Sequence, residues 1–368
     1  MNPIRFAIVS FLFLVGRPTF AGEPAEAPGT RPFHLGFTRW PADLSLEGIR
    51  IAVDFAHQHG DIVSVMFIGG IPWPEALEGR PFSRNVEDDF AYRPPNGAKI
   101  FLSISPLNRD RKGLAPYWGE KDNLPLPAPW DTRPLNSPEV KRAYLNFTER
   151  AIRAMHPDYL AIGIELNVLL SNDPAKWKQI KELYRETYRA VKAEHPTLPV
   201  FFTTEVVHYQ KLAREARDKD QAGEVADLMR FSDLFAMSIY PHMTFDIPRP
   251  IPAELLDFAV QFRKPIALAE SGMTSRDVEL KSFHLTLRGT EEDQRRFTEQ
   301  LLRAAARDRY EFVVTFATTD FERLCARLPA PVNDIARIWA YTGMQTAEGK
   351  AKPALAVWDA WLKLKYQR

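Results

Sequence analysis

Two glutamates each close a short apolar run. Glu165 ends Tyr159-Leu-Ala-Ile-Gly-Ile-Glu165, and Glu270 ends Pro265-Ile-Ala-Leu-Ala-Glu270. Runs of this length and apolarity read as buried strands. A carboxylate is costly to bury unless it is paired or put to use. Two at matching strand ends suit a pair in which one carboxyl donates a proton while the other attacks or activates water. The competing reading is a salt bridge from each to an arginine at the rim of the sheet. Tyr240 closes Ser238-Ile-Tyr240-Pro241 between them. Alone it reads as a core aromatic with a satisfied hydroxyl, so its chemical role depends on the glutamates.

Other chemistries find little support. The eight histidines are scattered; His57 and His59, two apart in a helix-like stretch, fall on different faces, and no His-Glu-x-x-His spacing is present, so a metal centre is not expected. No Gly-x-Ser-x-Gly elbow and no glycine-rich phosphate turn is present. The single cysteine, Cys325, lies in a helix-like stretch and cannot form an intramolecular disulfide. No cofactor is expected.

Eight strand-like runs are spaced along the chain: Phe33 to Thr38, Asp61 to Phe67, Lys99 to Ser103, Tyr159 to Ile164, Val200 to Thr204, Leu234 to Tyr240, Pro265 to Ala269 and Glu311 to Phe316. Most are too apolar for a sheet with one wet face, which favours parallel strands buried on both sides. Helical patterns lie between them, at Leu46 to His59, Pro138 to Met155, Pro174 to Glu194, Gln210 to Phe231, Ala253 to Phe262 and Glu291 to Arg309. Ser137 and Asp173 are placed to cap the second and third of these, each followed by proline. Alternation of this kind predicts an α/β protein, a (β/α)8 TIM barrel. The helix signal is poor over Glu75 to Pro95. A proline-rich insertion, Pro106 to Pro138, carries Tyr117, Trp118 and Trp130. Long loops at the active face of a barrel usually shape a cleft.

The chain has 368 residues, a formal net charge of +1, 45% hydrophobic and 26% charged residues, and 30 prolines. Near-neutral charge gives no reason to expect nucleic acid as a partner. Residues 1–21 read as a signal peptide: Arg5, the apolar stretch Phe6 to Val15, and Thr19-Phe-Ala21 as a cleavage site. The apolar stretch is about half of what a spanning helix needs, so no stable membrane insertion is expected after cleavage. Residues 22–32 read as a short tether and 33–368 as one barrel. The chain is expected to be exported, to the periplasm or beyond the cell.

Several motifs, taken in order, resemble a known clan. They are Gly163-Ile-Glu165, Ser238-Ile-Tyr240-Pro241, Lys264-Pro-Ile266 through Glu270-Ser-Gly272, and near the C-terminus Tyr341-Thr-Gly-Met344 and Gly349-Lys-Ala-Lys-Pro353 followed by Trp358. Together they resemble the retaining (β/α)8-barrel glycoside hydrolases, and most of all the endo-β-1,4-galactanase group and its bacterial relatives. The resemblance implies an exported hydrolase of β-linked polysaccharide or oligosaccharide. Glu165 would be the acid/base, with a raised pKa, and Glu270 the nucleophile, held by Tyr240. The carboxyl groups would stand about 5 Å apart. Ile164 occupies the place of the clan's asparagine, with Asn167 as a possible substitute. The arginine usual on strand two and the tryptophan usual on strand eight have no clear counterpart.

Further substrate-binding candidates follow other strands. Glu205, with His208 three residues on, either binds a sugar hydroxyl or forms a salt bridge. His242 either lines the cleft or lies exposed on a loop. Trp40 is placed to stack on a sugar face. Asp320 either binds a hydroxyl or caps the next helix. Trp73, Trp118 and Trp130 are cleft candidates on loops. The rival readings are a non-catalytic carbohydrate-binding barrel of the cell envelope and an envelope assembly protein built on the same scaffold.

Overall fold

The computed structural model describes residues 29–43, 45–329 and 332–368. The expected signal peptide and most of the tether lie outside them. Eight parallel strands form the centre: β1 His34–Thr38, β2 Ile62–Phe67, β3 Lys99–Ile104, β4 Tyr159–Ala161, β5 in two pieces (Val200–Phe201 and Thr203–Glu205), β6 Phe235–Ile239, β7 Ile266–Ser271 and β8 Phe312–Thr315. The two outermost members of the hydrogen-bonded sheet are the two pieces of β5. Val200–Phe201 pairs with β4 and Thr203–Glu205 with β6, while β8 pairs with β1. The sheet therefore closes on itself through one strand interrupted at Phe202.

The barrel interior is filled as a packed core. Phe101, Phe201 and Phe312, from β3, β5 and β8, bring ring centroids within 4.8–6.3 Å of one another. Alanines 236, 267 and 269 make room for them. At β1 no side chain fits: a Cβ on Gly36 would lie 1.9 Å from the carbonyl oxygen of Ile62.

The outer helices include α1 Leu46–Gln58, α2 Trp73–Glu78, α3 Arg84–Phe90, α4 Pro138–Met155, α5 Trp177–Glu194, α6 Ala222–Met229, α7 Glu291–Arg307 and α8 Pro353–Leu362. Ser45, Ser137 and Thr290 cap α1, α4 and α7 by accepting a backbone N–H of the first turn. Asp173 caps nothing; it pairs with Lys176 at 3.0 Å, and α5 is entered through a 3-10 turn. The segment over 75–95 does hold helices, α2 and α3, ended by left-handed Gly79 and started by Ser83. Conversely, the single helix expected over Gln210 to Phe231 is broken into short pieces, and α6 is the longest of them. Ala253–Phe262 is a 3-10 helix.

The strands begin over a repeated electrostatic joint. Asp61, Asp158, Asp233 and Glu311 lie one or two residues before β2, β4, β6 and β8, and each has a cation: Arg31 at 2.6 Å, Lys99 at 2.6 Å, Lys192 at 2.9 Å, and Arg368. The three aspartates also accept the N–H of Leu35, Ile100 and Val200 on the preceding strand, at 2.8–2.9 Å. At this same end Thr30–Arg31 pairs in parallel with Lys365–Tyr366, so the two ends of the described chain are neighbours.

Candidate active site

Glu165 does not end a regular strand. β4 stops at Ala161, and the backbone turns through residues 162–165 to reach φ +50° at Glu165. A left-handed glutamate costs about 1–2 kcal/mol. Its N–H is held there by Thr203 Oγ1 of β5, at 2.7 Å. Irregular backbone at this point swings the carboxyl across the barrel mouth: Ser238 Oγ of β6 donates to Glu165 Oε1 at 2.6 Å.

Glu270 reaches the same place through a different irregularity. β6 and β7 keep register from Phe235 to Met237 and then slip, so that Ala236 faces Ala267 but Ser238 faces Glu270. One extra residue in β7 reverses the face on which the next side chain emerges. Without that bulge, Ala269 rather than Glu270 would stand beside Ser238. Tyr240, two residues beyond Ser238, donates its hydroxyl to Glu270 Oε1 at 2.6 Å. Strand β6 thus presents two donors, one for each glutamate. Gly272 makes room for the tyrosine, since a Cβ there would lie 3.0 Å from Tyr240 Cε1.

Burial first, and the charge of Glu165 second, push the Glu270 carboxyl well above the ordinary carboxylate range, against the opposing pull of Tyr240 and Arg111. Arg111, from the insertion after β3, lies 3.1 Å from Glu165 Oε2. Among the described residues no cation stands at ion-pair distance from Glu270. Burial also drives the Tyr240 hydroxyl upward, with the Glu270 charge adding to it, so it is a donor throughout the physiological range. Phe316, Trp339, Trp40 and His242 surround this group. Trp339 meets Tyr240 edge-on at 6.2 Å between centroids, and Trp40 stacks on Phe316 at 6.3 Å.

The other candidates separate. Glu205 is 9% exposed and caps the short helix Val206–Tyr209, accepting from the N–H groups of Val207 and His208 at 3.0 and 2.7 Å. The His208 ring lies 2.5 Å from the same carboxylate, so the salt-bridge reading describes both. Asn167 is fully buried and committed to Glu205 and Gln221; it cannot replace the asparagine missing at Ile164. His242 is neither exposed nor open to a ligand. It is buried, bonded to the Ile338 carbonyl at 3.0 Å, and pushed down to about 4 by burial, hence neutral. Asp320 is buried against Lys352 at 2.6 Å and accepts the Gly343 N–H, so it neither meets solvent nor caps a helix. Trp73, Trp118 and Trp130 are core residues, with Trp73 stacked on Trp130 at 5.4 Å. The part of the insertion that carries Trp118 and Trp130 packs onto α2 and α4, while its beginning brings Arg111 to Glu165. Cys325 is buried, and burial raises its thiol pKa; it is no nucleophile.

Ser238, Arg111 and Trp339 are the site residues that sequence reasoning missed. Ser238 had a signal, since residues two apart on a strand share a face. Arg111 and Trp339 had none, because each comes from an irregular segment.

The geometry is that of a paired-carboxylate site at the C-terminal mouth of a barrel, and comparison with known proteins agrees. The model of glycosyl hydrolase family 53 matches residues 117–314, more than half of the chain. The chain belongs to glycosyl hydrolase family 53. It is thus an O-glycosyl hydrolase of β-linked sugars, and a carbohydrate is its substrate. No protein of curated function matches it in sequence. Among solved structures, the family 53 barrel is similar to a GH5_18 protein from Streptomyces cattleya in complex with GlcNAc. Identity is 16%, the match covers 92% of this chain and 83% of that one, and the TM-score is 0.61. It is similar to an intracellular xylanase from Thermoanaerobacterium saccharolyticum, at 13% identity, covering 91% and 99% of the chains, TM-score 0.55. It is also similar to the exo-β-1,4-mannosidase Op5Man5 from an Opitutaceae bacterium, at 15% identity and TM-score 0.55, but there it spans 60% of the other chain's length. These likenesses concern the fold, a (β/α)8 barrel. No helix of the described residues is long and apolar enough to cross a membrane.

Proposed function

We propose that this family 53 chain is an exported hydrolase that cleaves β-linked polysaccharide or oligosaccharide with retention, through Glu165 and Glu270. The observation that carries the reading is the double anchoring on β6: Ser238 holds Glu165 and Tyr240 holds Glu270, each at 2.6 Å. In the first step the Glu270 carboxylate forms a bond to the anomeric carbon. The glycosidic C–O bond breaks, and Glu165 gives its proton to the departing oxygen. In the second step Glu165 takes a proton from water, whose oxygen displaces Glu270 from the anomeric carbon. Two carboxyl groups must hold one proton between them at the start. A pair in which burial and mutual repulsion keep one proton bound past the usual range meets that requirement, and it titrates as a unit. Tyr240 draws the negative form toward Glu270, where attack needs it.

Export rests on residues 1–21 alone. A glycan-binding barrel without turnover would rest on the Arg111–Glu165 ion pair; Glu270, with no paired cation among the described residues, speaks against it.

The test is turnover of the mature chain on a panel of β-linked polysaccharides and aryl β-glycosides, with Glu165→Gln and Glu270→Gln alongside. Both variants are expected to lose activity and keep the fold, and the first-formed product anomer, read by NMR, is expected to be β. Undiminished activity in Glu270→Gln would sink the assignment.

A further inference from the structure

Both oxygens of Glu165 are occupied, and unequally. Oε1 is held by Ser238, a buried residue of the barrel wall, at 2.6 Å. Oε2 is held by Arg111, on the tip of a loop, at 3.1 Å. The oxygen that meets a leaving group must be the one facing away from the wall, which is Oε2. Arg111 therefore stands where the leaving-side sugar has to approach. Its loop is fixed in place: Asn172 and Lys176 bond to the carbonyls of Asp110 and Lys112. The guanidinium also bonds to the carbonyls of Asn108 and Arg109, while its buried Nε–H meets no acceptor among the described residues. Beside it Arg109 is exposed and lies over the Trp339 ring at 5.9 Å, with no carboxylate at ion-pair distance among the described residues. One loop thus brings two cations to the site, Arg111 against Glu165 and Arg109 over Trp339, and neither is paired with Glu270.

A neutral sugar would have to part Arg111 from Glu165 with nothing to offer the guanidinium in return. A carboxylate offers a replacement partner and releases Oε2 for proton transfer. We infer that the leaving-side subsite takes an acidic sugar, a uronate of a β-linked glycan, whose carboxylate is received by Arg111 and Arg109. This rests on the hydrolase reading and adds the class of substrate.

The experiment is calorimetric titration of the Glu270→Gln chain with matched tetramers. β-1,4-Mannuronate is set against β-1,4-mannotetraose, and β-1,4-glucuronate against cellotetraose. Each pair differs only at C6. In at least one pair the acidic member is expected to bind about tenfold tighter or more, as for a charge-assisted hydrogen bond, and more weakly as salt rises. Adding Arg111→Gln is expected to remove the advantage. Arg109→Gln, an exposed change that leaves the fold alone, is expected to reduce it and decides the matter if Arg111→Gln fails to fold. No preference in either pair, no binding of either acidic tetramer at millimolar concentration, or a preference that survives both arginine variants would overturn the inference. Failure of the hydrolase reading shows separately, as turnover by Glu270→Gln itself.

Discussion

Tyr240 is the residue on which the two glutamates become a pair. Its hydroxyl favours the ionised form of a Glu270 carboxyl that burial and Glu165 push toward neutrality. Tyr240→Phe leaves the ring and removes the donor. The Glu270 carboxyl then ionises at higher pH, so under the proposed mechanism the acid limb of the kcat/KM profile moves upward, and kcat falls by about a hundredfold as for loss of one aimed donor. A pH–rate profile checks both; an unmoved limb with unchanged kcat would make Tyr240 a packing residue. Glu165, Tyr240 and Glu270 were legible in sequence because each ends an apolar run. Asn167, His242 and Asp320 were not, because whether a polar residue meets solvent depends on what folds over it. Asp320 disappears under Lys352, thirty-two residues on.

At the scale of elements, the strands and the long capped helices could be read because burial on both faces and a 3.6-residue period leave marks in sequence. The β7 bulge leaves none: one residue of slip in Ile-Ala-Leu-Ala-Glu is invisible until β6 is laid beside it. The tryptophans of the insertion after β3 were misjudged for a related reason. Aromatic residues on a loop suit a cleft as well as a core, and only packing decides between them. It decided for the core, with Trp130 4% exposed against Trp73. Trp130→Ala is accordingly expected to lower stability by about 3–5 kcal/mol, in denaturant melts, while KM for any cleaved glycan stays the same. A raised KM with unaltered stability would return Trp130 to the cleft.

For the molecule as a whole, the end opposite the glutamates carries the electrostatic closure. Burial pushes the Asp61 carboxyl up, but the His34 ring and Arg31 outweigh it and hold the group below its ordinary value. A depressed folded pKa means stability that is present above the unfolded pKa, about 4, and is lost as pH falls through the folded value. Asp61→Asn should therefore cost about 1–2 kcal/mol at neutral pH, with the difference shrinking toward pH 3 in urea melts. A deficit independent of pH would assign the role to the Leu35 N–H bond alone. At that same end, Thr30–Arg31 lies in register beside Lys365–Tyr366, and the sheet closes within β5 rather than between its first and last strands, β1 and β8, which pair directly. The ring of strands consequently has no topological starting point. In a chain trimmed of the residues before Thr30, a short linker from Tyr366 to Thr30, with new ends opened in an exposed connection, would yield a circular permutant whose first strand is a matter of choice, with the peptide joint on the far side of the barrel from any glycan.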